Sequence, residues 1–445
     1  MQMKNKVKSE KGIMTMYVTI AVVTFTIILV ALFSLAVATR RNQIKTLIKI
    51  KEVYEQDNSK KEQIYMIQGK RIERQLPRTK DTRPYYPDDT FEKDSDTNLN
   101  DGLVIRDSNG NEYVWIEVPK SLYADSSYNT KTTTADKKPT KSTDYDKIEY
   151  CLNKYTEDYR KKSNGTLTSF TDEYPSDKVL AGTGLTSEQY TALKQKMLKS
   201  VYENGGFWIG RYEAGIAENR TSKEIDLATA SAPLSTSKTG TEENPIYPYP
   251  YTYVTCSQAQ ELASKLSTGK SYTSSLMFGV QWDLVLKHIE TKEVEKGTAL
   301  ATIQSALRTD SKDWGNYKNA SFTINRGKYA KDGALSSAWI NYNTALANCV
   351  TYANGKSTKL SASSNSNSIL LTTGASDACK KMNIYDLAGN VWEWTLEYSA
   401  NTGNPCASRG GSYGGIGSGY PASYRSYGYT TDSSGYIGYR PSLYK

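Results

Sequence analysis

Apolar residues are concentrated in one long run near the N-terminus. Residues 13–38 are mostly apolar, and no charged side chain occurs from Gly12 to Thr39. A helix of this length crosses about 30 Å of hydrocarbon with some tilt. Apolar side chains then recur at near-helical spacing among Lys, Gln and Glu. The pattern predicts a transmembrane helix with an amphipathic extension over residues 1–56, followed by a polar linker over 57–101.

Two other interpretations of this N-terminus stay open. The sequence Ala36-Val-Ala38 has the small-residue pattern of a signal-peptidase site, but the apolar core of a signal peptide is usually much shorter. The basic start, Gly12 and the apolar run resemble a type IV prepilin, whose pattern has Glu where this chain has Tyr17. Basic residues flank both ends of the run, so charge counting leaves the orientation undecided. We expect a retained single-pass anchor in the cell membrane, with the following domain extracellular.

Shorter patterned segments follow the linker and predict a mixed domain. Gly102–Arg106 and Tyr113–Val118 are rich in β-forming residues and flank an Asp-Ser-Asn-Gly-Asn turn, which predicts a hairpin. Three later segments have the spacing of helices: Thr186–Asn204, Ser257–Leu266 and Trp282–Glu290. Polar stretches near 121–176 and 216–248 predict surface insertions. We therefore expect one α+β domain over 102–445.

Composition excludes several function classes. The net charge is +9, but the basic residues are scattered and cluster mainly around the N-terminal run, so we expect no nucleic-acid partner. A single histidine, His288, argues against histidine metal sites and Ser-His-Asp triads. Five cysteines in 445 residues form no disulfide framework. The chain has 35 Tyr against 7 Phe, which suits a binding surface, and a general compositional bias explains this excess equally well.

Four motifs, in order, carry a specific resemblance. Gly205–Gly215 reads GGFWIGRYEAG, Asn383–Thr395 reads NIYDLAGNVWEWT, Arg409–Tyr413 reads RGGSY, and Ile437–Arg440 reads IGYR. Together they resemble the formylglycine-generating-enzyme family, also called the sulfatase-modifying-factor domain. Residues 111–118 are similar to the first strand of that family, and Trp282-Asp283 takes the place of its Trp-Glu. The resemblance implies, for roughly 102–445, the family's variant of the C-type lectin fold.

Scaffolding explains most of these motif residues. Asp386–Asn390 is typical of a turn in which the glycine supplies conformational freedom. Arg440 is placed to pair with a buried carboxylate such as Glu213 or Glu393. In the family, the Gly-Asn-Val-Trp-Glu segment lies at a calcium site in some members. The resemblance therefore makes Asn390 and Glu393 candidate ligands of a structural calcium ion, and we expect no other cofactor.

The motif that carries catalysis in this family is incomplete. Catalytic members oxidise a sulfatase cysteine to formylglycine with a copper-binding cysteine pair shortly after Arg-Gly-Gly-Ser, and thiolates are the ligands that Cu(I) prefers. The matching stretch 413–425 has no cysteine, and the pair falls at about Gly415 and Tyr420. We therefore expect no enzyme. A copper-dependent formylglycine-generating oxidase acting on sulfatase cysteines stays as the alternative.

The C-terminal tract has an unusual composition. Residues 410–440 hold nine Gly, seven Tyr and six Ser, so 22 of 31 positions come from three residue types. Adaptable binding loops have this composition, with rigid aromatic anchors and polar spacers. The tract also resembles the variable tract of C-type-lectin-type proteins that are diversified by retroelements. In those proteins the tract begins with Arg-Gly-Gly and ends with Ile-Gly-(Phe/Tyr)-Arg. Partial mutagenesis of Asn codons leaves some Asn, and this tract has none, so a fixed paralogue stays open.

We expect the tract to form the binding face of a non-catalytic, membrane-anchored surface protein. The candidate ligand-binding residues are Tyr413, Ser418, Tyr420, Tyr424, Arg425, Tyr427, Tyr429, Asp432, Ser434 and Tyr436. Arg425 is either a ligand contact or part of a scaffold ion pair. The expected ligand is a protein or a glycan at a cell or phage surface, and residues 13–38 contact the membrane. A pilin-like filament subunit that displays the domain is the structural alternative.

Overall fold

The computed structural model describes most of the chain after residue 74. The described residues are 75–445 apart from 131–135, 162–167, 175–181, 242, 331–332, 337, 342–350, 354–355, 358–367 and 402, and, nearer the N-terminus, 17–25, 29, 32–35 and 39–40. The chain divides into two units, Met1–Arg71 and Ile72–Lys445.

In the first unit, every described residue is helical and exposed. Among the residues that the structure describes, no helix is both long enough and apolar enough to cross a membrane. The rest of the predicted anchor over 1–56, and residues 57–74 of the predicted linker, lie outside the described residues. The transmembrane helix therefore stays a prediction.

The second unit is built from many short strands. In chain order they are β1 (Glu92–Lys93), β2 (Val104–Arg106), β3 (Glu112–Glu117), β4 (Phe170–Thr171), β5 (Gly206–Gly210), β6 (Gly215–Ile216), β7 (Thr239–Gly240), β8 (Pro245–Ile246), β9 (Tyr249–Pro250), β10 (Thr273–Leu276), β11 (Phe322–Thr323), β12 (Lys328–Ala330), β13 (Trp339–Asn341), β14 (Thr351–Ala353), β15 (Lys356–Ser357), β16 (Leu370–Leu371), β17 (Lys380–Lys381), β18 (Ile384–Tyr385), β19 (Trp392–Ser399), β20 (Cys406–Arg409), β21 (Arg425–Gly428), β22 (Ile437–Tyr439) and β23 (Pro441–Tyr444). Together with the helices described next, these strands make the unit a mixed α+β structure.

Its helices confirm the three that the sequence predicts and add others. They are α1 (Ser126–Asn129), α2 (Tyr145–Tyr155), α3 (Glu157–Arg160), α4 (Ser187–Asn204), α5 (Cys256–Ser264), α6 (Gly279–Glu295) and α7 (Leu300–Arg308). Helix α4 begins with a capping box between Thr186 and Gln189 and ends at Gly205, which has a φ of 68°. Helix α5 begins with the same device at Thr255 and Gln258.

One antiparallel sheet joins the first and last strands of the unit. Its strand order is β1-β2-β3-β5-β23-β10. The predicted hairpin is confirmed, because β2 pairs with β3 and the backbone N–H of Asp107 donates to the carbonyl of Asn111 at 2.9 Å. Strand β5, which lies in the Gly205–Gly215 motif, pairs along β3 and places Trp208 against Trp115, with ring centroids 4.9 Å apart. The segment 111–118 and the Gly205–Gly215 motif thus meet in one sheet.

A second sheet carries the C-terminal tract. Its order is β21-β20-β19-β22, and β4 pairs with the far end of β19. Strand β19 runs antiparallel to β20 and parallel to β22. Strand β21 is the outer strand of this order, next to β20. The tract therefore begins and ends on strands whose backbone positions are set by the central strand β19.

Helix α6 packs against both sheets, since it contacts β3 and β19. Twelve of its residues are buried, including the charged Asp283. The indole N–H of Trp282 donates to the carbonyl of Ala422 at 2.9 Å, a direct link between the core and the C-terminal tract. The core thus extends to the underside of the predicted binding face.

Two parts of the predicted domain organisation are wrong. Residues 75–101 are not linker, because Leu76 and Phe91 are buried and the indole N–H of Trp115 donates to the Thr82 hydroxyl at 2.7 Å. The predicted insertion near 121–176 contains helix α2, which buries three apolar residues, among them Ile148. Few apolar residues mark either segment, so neither stands out from its polar surroundings. The stretch 216–248 has only two-residue strands among its described residues, as expected for loops.

Candidate ligand-binding face

Two strands and two loops build the candidate face. Strand β20 leads into the loop 410–424, which returns along β21, and a second loop, 429–436, leads to β22. Gly411 lies in the first loop with a φ of 81°. A Cβ at this position would lie 2.5 Å from the carbonyl oxygen of Tyr420. The loop therefore closes on itself only because residue 411 has no side chain.

The tract holds most of the exposed apolar side chains of its unit. Among the described residues of 75–445, ten large hydrophobic side chains are exposed, and six of these lie between 416 and 436. Five of the six are tyrosines, here called the tyrosine face: Tyr420, Tyr424, Tyr427, Tyr429 and Tyr436. Tyr427 and Tyr429 are the most open, at 58% and 57%. Ser418, also predicted as a ligand contact, is exposed beside them in the sequence.

Three aromatic rings contact one another at one part of the face. The ring centroids of Tyr420 and Tyr424 are 5.2 Å apart in an edge-to-face arrangement. Trp392 lies 5.3 Å from Tyr420 and 5.9 Å from Tyr424. Such contacts fix the orientation of half-exposed rings. Sequence reasoning did not include Trp392 in the site; the signal was its position at the start of a strand, directly after a turn.

Tyr413 is not part of the exposed face, and its prediction as a ligand contact is wrong. Its side chain is fully buried, and its ring stacks on that of Tyr436 with centroids 4.7 Å apart and planes 13° apart. Its backbone N–H donates to the carbonyl of Asn390 at 2.8 Å. Tyr413 therefore supports the ring of Tyr436 from beneath.

Arg425 belongs to the scaffold, which decides between its two predicted roles. It donates to Glu397 Oε1 at 2.8 Å, to Asp283 Oδ2 and to the carbonyl of Tyr159 at 2.8 Å. Arg409 donates to the other oxygens of the same two acids, at 2.8 Å to Asp283 and 3.2 Å to Glu397. Two cations and two anions thus form a closed set, here called the buried tetrad.

Charge pairing offsets the cost of burial at two members of the tetrad, Glu397 and Arg425. Burial by itself would raise the pKa of Glu397, but the guanidinium groups of Arg425 and Arg409 outweigh it and lower that pKa. Burial likewise opposes the charge of Arg425, and the carboxylates of Asp283 and Glu397 raise its pKa overall. Glu397 and Arg425 therefore carry charge in the core. The four side chains of the tetrad tie β19, β20, β21 and α6 together.

Asp432 and Ser434 shape the second loop. The Asp432 carboxylate accepts from the backbone N–H of Tyr429 at 2.8 Å, and the Ser434 hydroxyl accepts from that of Tyr436 at 3.2 Å. Both residues are partly exposed. Their side chains hold the backbone from which two exposed tyrosines project.

The two candidate calcium ligands are engaged with protein groups. Asn390 donates to Glu213 at 2.7 Å and accepts from Asn316 at 2.9 Å and from the N–H of Leu371 at 3.1 Å. Glu393 is paired with Arg440 at 2.7 Å, the partner that the sequence had left open between Glu213 and Glu393. Within the described parts of the chain, no group of three His, Cys, Asp or Glu side chains is arranged to hold a metal. As arranged, these donors do not fit calcium, because the Arg440 guanidinium already pairs with the Glu393 carboxylate where a metal ion would bind.

The same region concentrates buried acids. Burial, followed by the charges of Asp386 and Glu393, raises the pKa of Glu213 well above its ordinary value. Burial raises the pKa of Asp386 to about 7, although the N–H of Gly374 and the charge of Arg440 oppose it. Burial thus outweighs the charge of Arg440 at Glu213, Asp386 and Glu393, so the cluster retains protons at pH values where exposed acids are ionised.

The four described cysteines lie in the interior of the second unit. Cys151, Cys256, Cys379 and Cys406 are buried. Gly415 and Tyr420, where the copper-binding pair would fall, offer no thiol. Cys349 lies outside the described residues.

No family model and no curated protein matches this sequence. Among solved structures, the chain is similar to one described as "Crystal Structure of CarF", with 14% identity and a TM-score of 0.31, over 54% of this chain and 86% of that chain. A similarity at that TM-score supports no statement about fold or function.

Proposed function

We propose that this chain is a non-catalytic ligand-binding protein, anchored in the cell membrane, whose tyrosine face binds a ligand outside the cell. We further propose that residues 102–445 have the formylglycine-generating-enzyme variant of the C-type lectin fold. Two features support this fold. Asp386, Gly389 and Asn390 have φ of 57°, 75° and 54°, as the motif turn requires, and Arg440 of the Ile437–Arg440 motif pairs with Glu393 of the Asn383–Thr395 motif.

The observation that carries the proposed function is the distribution of exposed apolar surface. Soluble domains bury most large apolar side chains, and clustered exceptions mark interaction sites. Here such exceptions gather in the tract 410–440, whose tyrosines combine a large ring with a polar tip. Tyrosine loses little conformational entropy on binding because it has only two side-chain torsions.

The face is suited to an uncharged contact. The tract has three charged residues, and two of them, Arg425 and Arg440, are paired with buried carboxylates. The third, Asp432, accepts a backbone hydrogen bond. Recognition by the exposed rings and hydroxyls therefore depends on stacking and neutral hydrogen bonds rather than on ion pairs. A protein surface and a glycan both offer such partners.

The geometry also supports sequence variation at the face. Tyr427 and Tyr429 are more than half exposed, so their replacement leaves the core contacts intact. Tyr413 and Arg425 lie in the same tract but are buried. If the gene is diversified by a retroelement, sequencing of its 3′ end from a natural population will show variation at exposed positions and constancy at Tyr413 and Arg425. Equal variation at buried and exposed positions contradicts this proposal.

A triple variant tests binding by the face. Tyr420→Ala, Tyr427→Ala and Tyr429→Ala together remove three exposed rings, and we expect at least a roughly 100-fold loss of affinity with stability within about 1 kcal/mol of wild type. The full-length protein in detergent is applied to arrays of bacterial surface polysaccharides and surface proteins. The matched control changes three exposed apolar residues outside the tract: Ile246→Ala, Val294→Ala and Leu300→Ala.

The two variants must behave differently. Retained binding by the control and lost binding by the tyrosine variant support the proposal. An array component that the tyrosine variant binds with unchanged affinity shows that the face is not the binding site.

A further inference from the structure

Two buried cysteines, distant in the sequence, meet behind the second sheet. Cys256 is the first residue of α5, and Cys406 is the first residue of β20. Both side chains are almost completely buried, at 1% and 2% exposure. Both are free thiols in this structure.

Contacts on each side fix this arrangement independently. The Cys256 thiol donates to the carbonyl of Thr395 at 3.5 Å, and Thr395 pairs with Ala407, the neighbour of Cys406. The Cys406 thiol donates to the carbonyl of Gly182 at 3.7 Å. The start of α5 is therefore held against the same stretch of the β19–β20 pair from which Cys406 projects.

We propose that Cys256 and Cys406 form a disulfide bond in the mature protein. This inference goes beyond ligand binding and does not depend on it. Of the described cysteines, Cys256 and Cys406 are the pair that lies at one stretch of the β19–β20 ladder, whereas composition alone singles out none of the five.

The chemistry is a thiol–disulfide exchange. One cysteine thiolate attacks the S–S bond of a disulfide reagent, either oxidised glutathione or a protein disulfide, which forms a mixed disulfide and releases one reagent thiolate. The second cysteine thiolate then attacks the mixed disulfide and releases the other reagent thiolate. The products are the Cys256–Cys406 bond and two reduced thiols from the reagent, and the two cysteines release two protons and two electrons. The contact with Cys406, together with burial, raises the pKa of the Cys256 thiol well above its ordinary value. The exchange therefore takes place during folding, before the thiols are enclosed.

The bond would reinforce the scaffold of the tyrosine face. Strand β20 pairs with β21, where Cys406 is opposite Gly428 and Ala407 is opposite Tyr427. A bond between α5 and β20 closes a loop of about 150 residues, and long loops gain the most from cross-linking in the chain-entropy account. Reduction should then lower the melting temperature of the protein by roughly 5 °C or more.

Peptide mapping of the full-length protein tests the bond directly. The protein is unfolded, refolded once in a glutathione redox buffer and once in a strong reductant, alkylated and digested. We expect a linked peptide pair containing Cys256 and Cys406 only in the oxidised sample, and a lower melting temperature in the reduced sample. Cys406→Ala should abolish the temperature difference. Cys379→Ala, at a buried cysteine outside the pair, should retain it.

The peptide map tests the disulfide bond even where a variant fails to fold, because the linked peptides come from the wild-type chain. Recovery of both cysteines as alkylated thiols from the oxidised sample overturns the proposal. Linkage of either one to another cysteine overturns it as well.

Discussion

Arg425→Ala separates a scaffold residue from a ligand contact in the same tract. The change removes the guanidinium that bonds Asp283, Glu397 and the carbonyl of Tyr159. Arg409 alone then faces two buried carboxylates, each of which loses a charged donor. The side chain of Arg425 is 3% exposed, so water cannot replace what is lost.

The expected cost follows from burial. Removing one partner from a buried ion pair costs about 3–5 kcal/mol, because the remaining charge stays in the core without compensation. Against a total stability of about 5–15 kcal/mol, such a loss is large. Tyr427→Ala provides the comparison within the same strand. Its ring is 58% exposed, and we expect a cost below about 1 kcal/mol.

Urea unfolding of the full-length protein, followed by tryptophan fluorescence, measures both variants. A double-mutant cycle combines Arg425→Met with Glu397→Gln. The double variant removes one charge of each sign, so it should be more stable than the Arg425→Met single variant. If Arg425→Ala stays within about 1 kcal/mol of wild type and ligand binding is lost, Arg425 contacts ligand and the scaffold assignment is wrong.

Two further predictions concern the acid cluster and the glycine turn. Because burial raises the pKa of Asp386 from 3.8 to about 7, the folded state keeps a proton that the unfolded state releases, so this contribution to stability is complete below about pH 4 and is lost as the pH rises to about 7. Asp386→Asn is neutral throughout, so the stability of wild type relative to this variant should fall between pH 4 and 7 in denaturation experiments; a constant difference contradicts the pKa assignment. Gly411→Ala places a Cβ 2.5 Å from a carbonyl oxygen at a φ of 81°, whereas Gly110→Ala meets nothing within 4 Å at a φ of 84°. Each variant loses about 1–2 kcal/mol of stability to backbone strain. Thermal unfolding should show a clearly larger loss of stability for Gly411→Ala because its Cβ also clashes with the carbonyl oxygen. Equal losses of stability would show that the turn tolerates a side chain.

Local signals in the sequence predicted several elements correctly. The hairpin around Asp107–Asn111 and the helices α4, α5 and α6 depend on turn residues, capping residues and apolar spacing, which act within a few positions. Helix α2 and residues 75–101 were missed because their stability comes from distant partners. Thr82, for example, is bonded to Trp115 and to the carbonyl of Gly205.

The composition of the tract, its bounding motifs and the lack of cysteine after Arg409-Gly-Gly are properties of the sequence itself. They are sufficient to predict a tyrosine-rich face on an α+β domain. Only the tertiary structure decided which side chains reach solvent. Tyr413 and Tyr420 lie in the same Gly- and Ser-rich loop, yet one is fully buried and the other is 39% exposed. Arg425 does not belong to the exposed face, because it pairs with Asp283, which precedes it by 142 residues. The strength of such a charge pair depends on distance in space and not on separation along the chain.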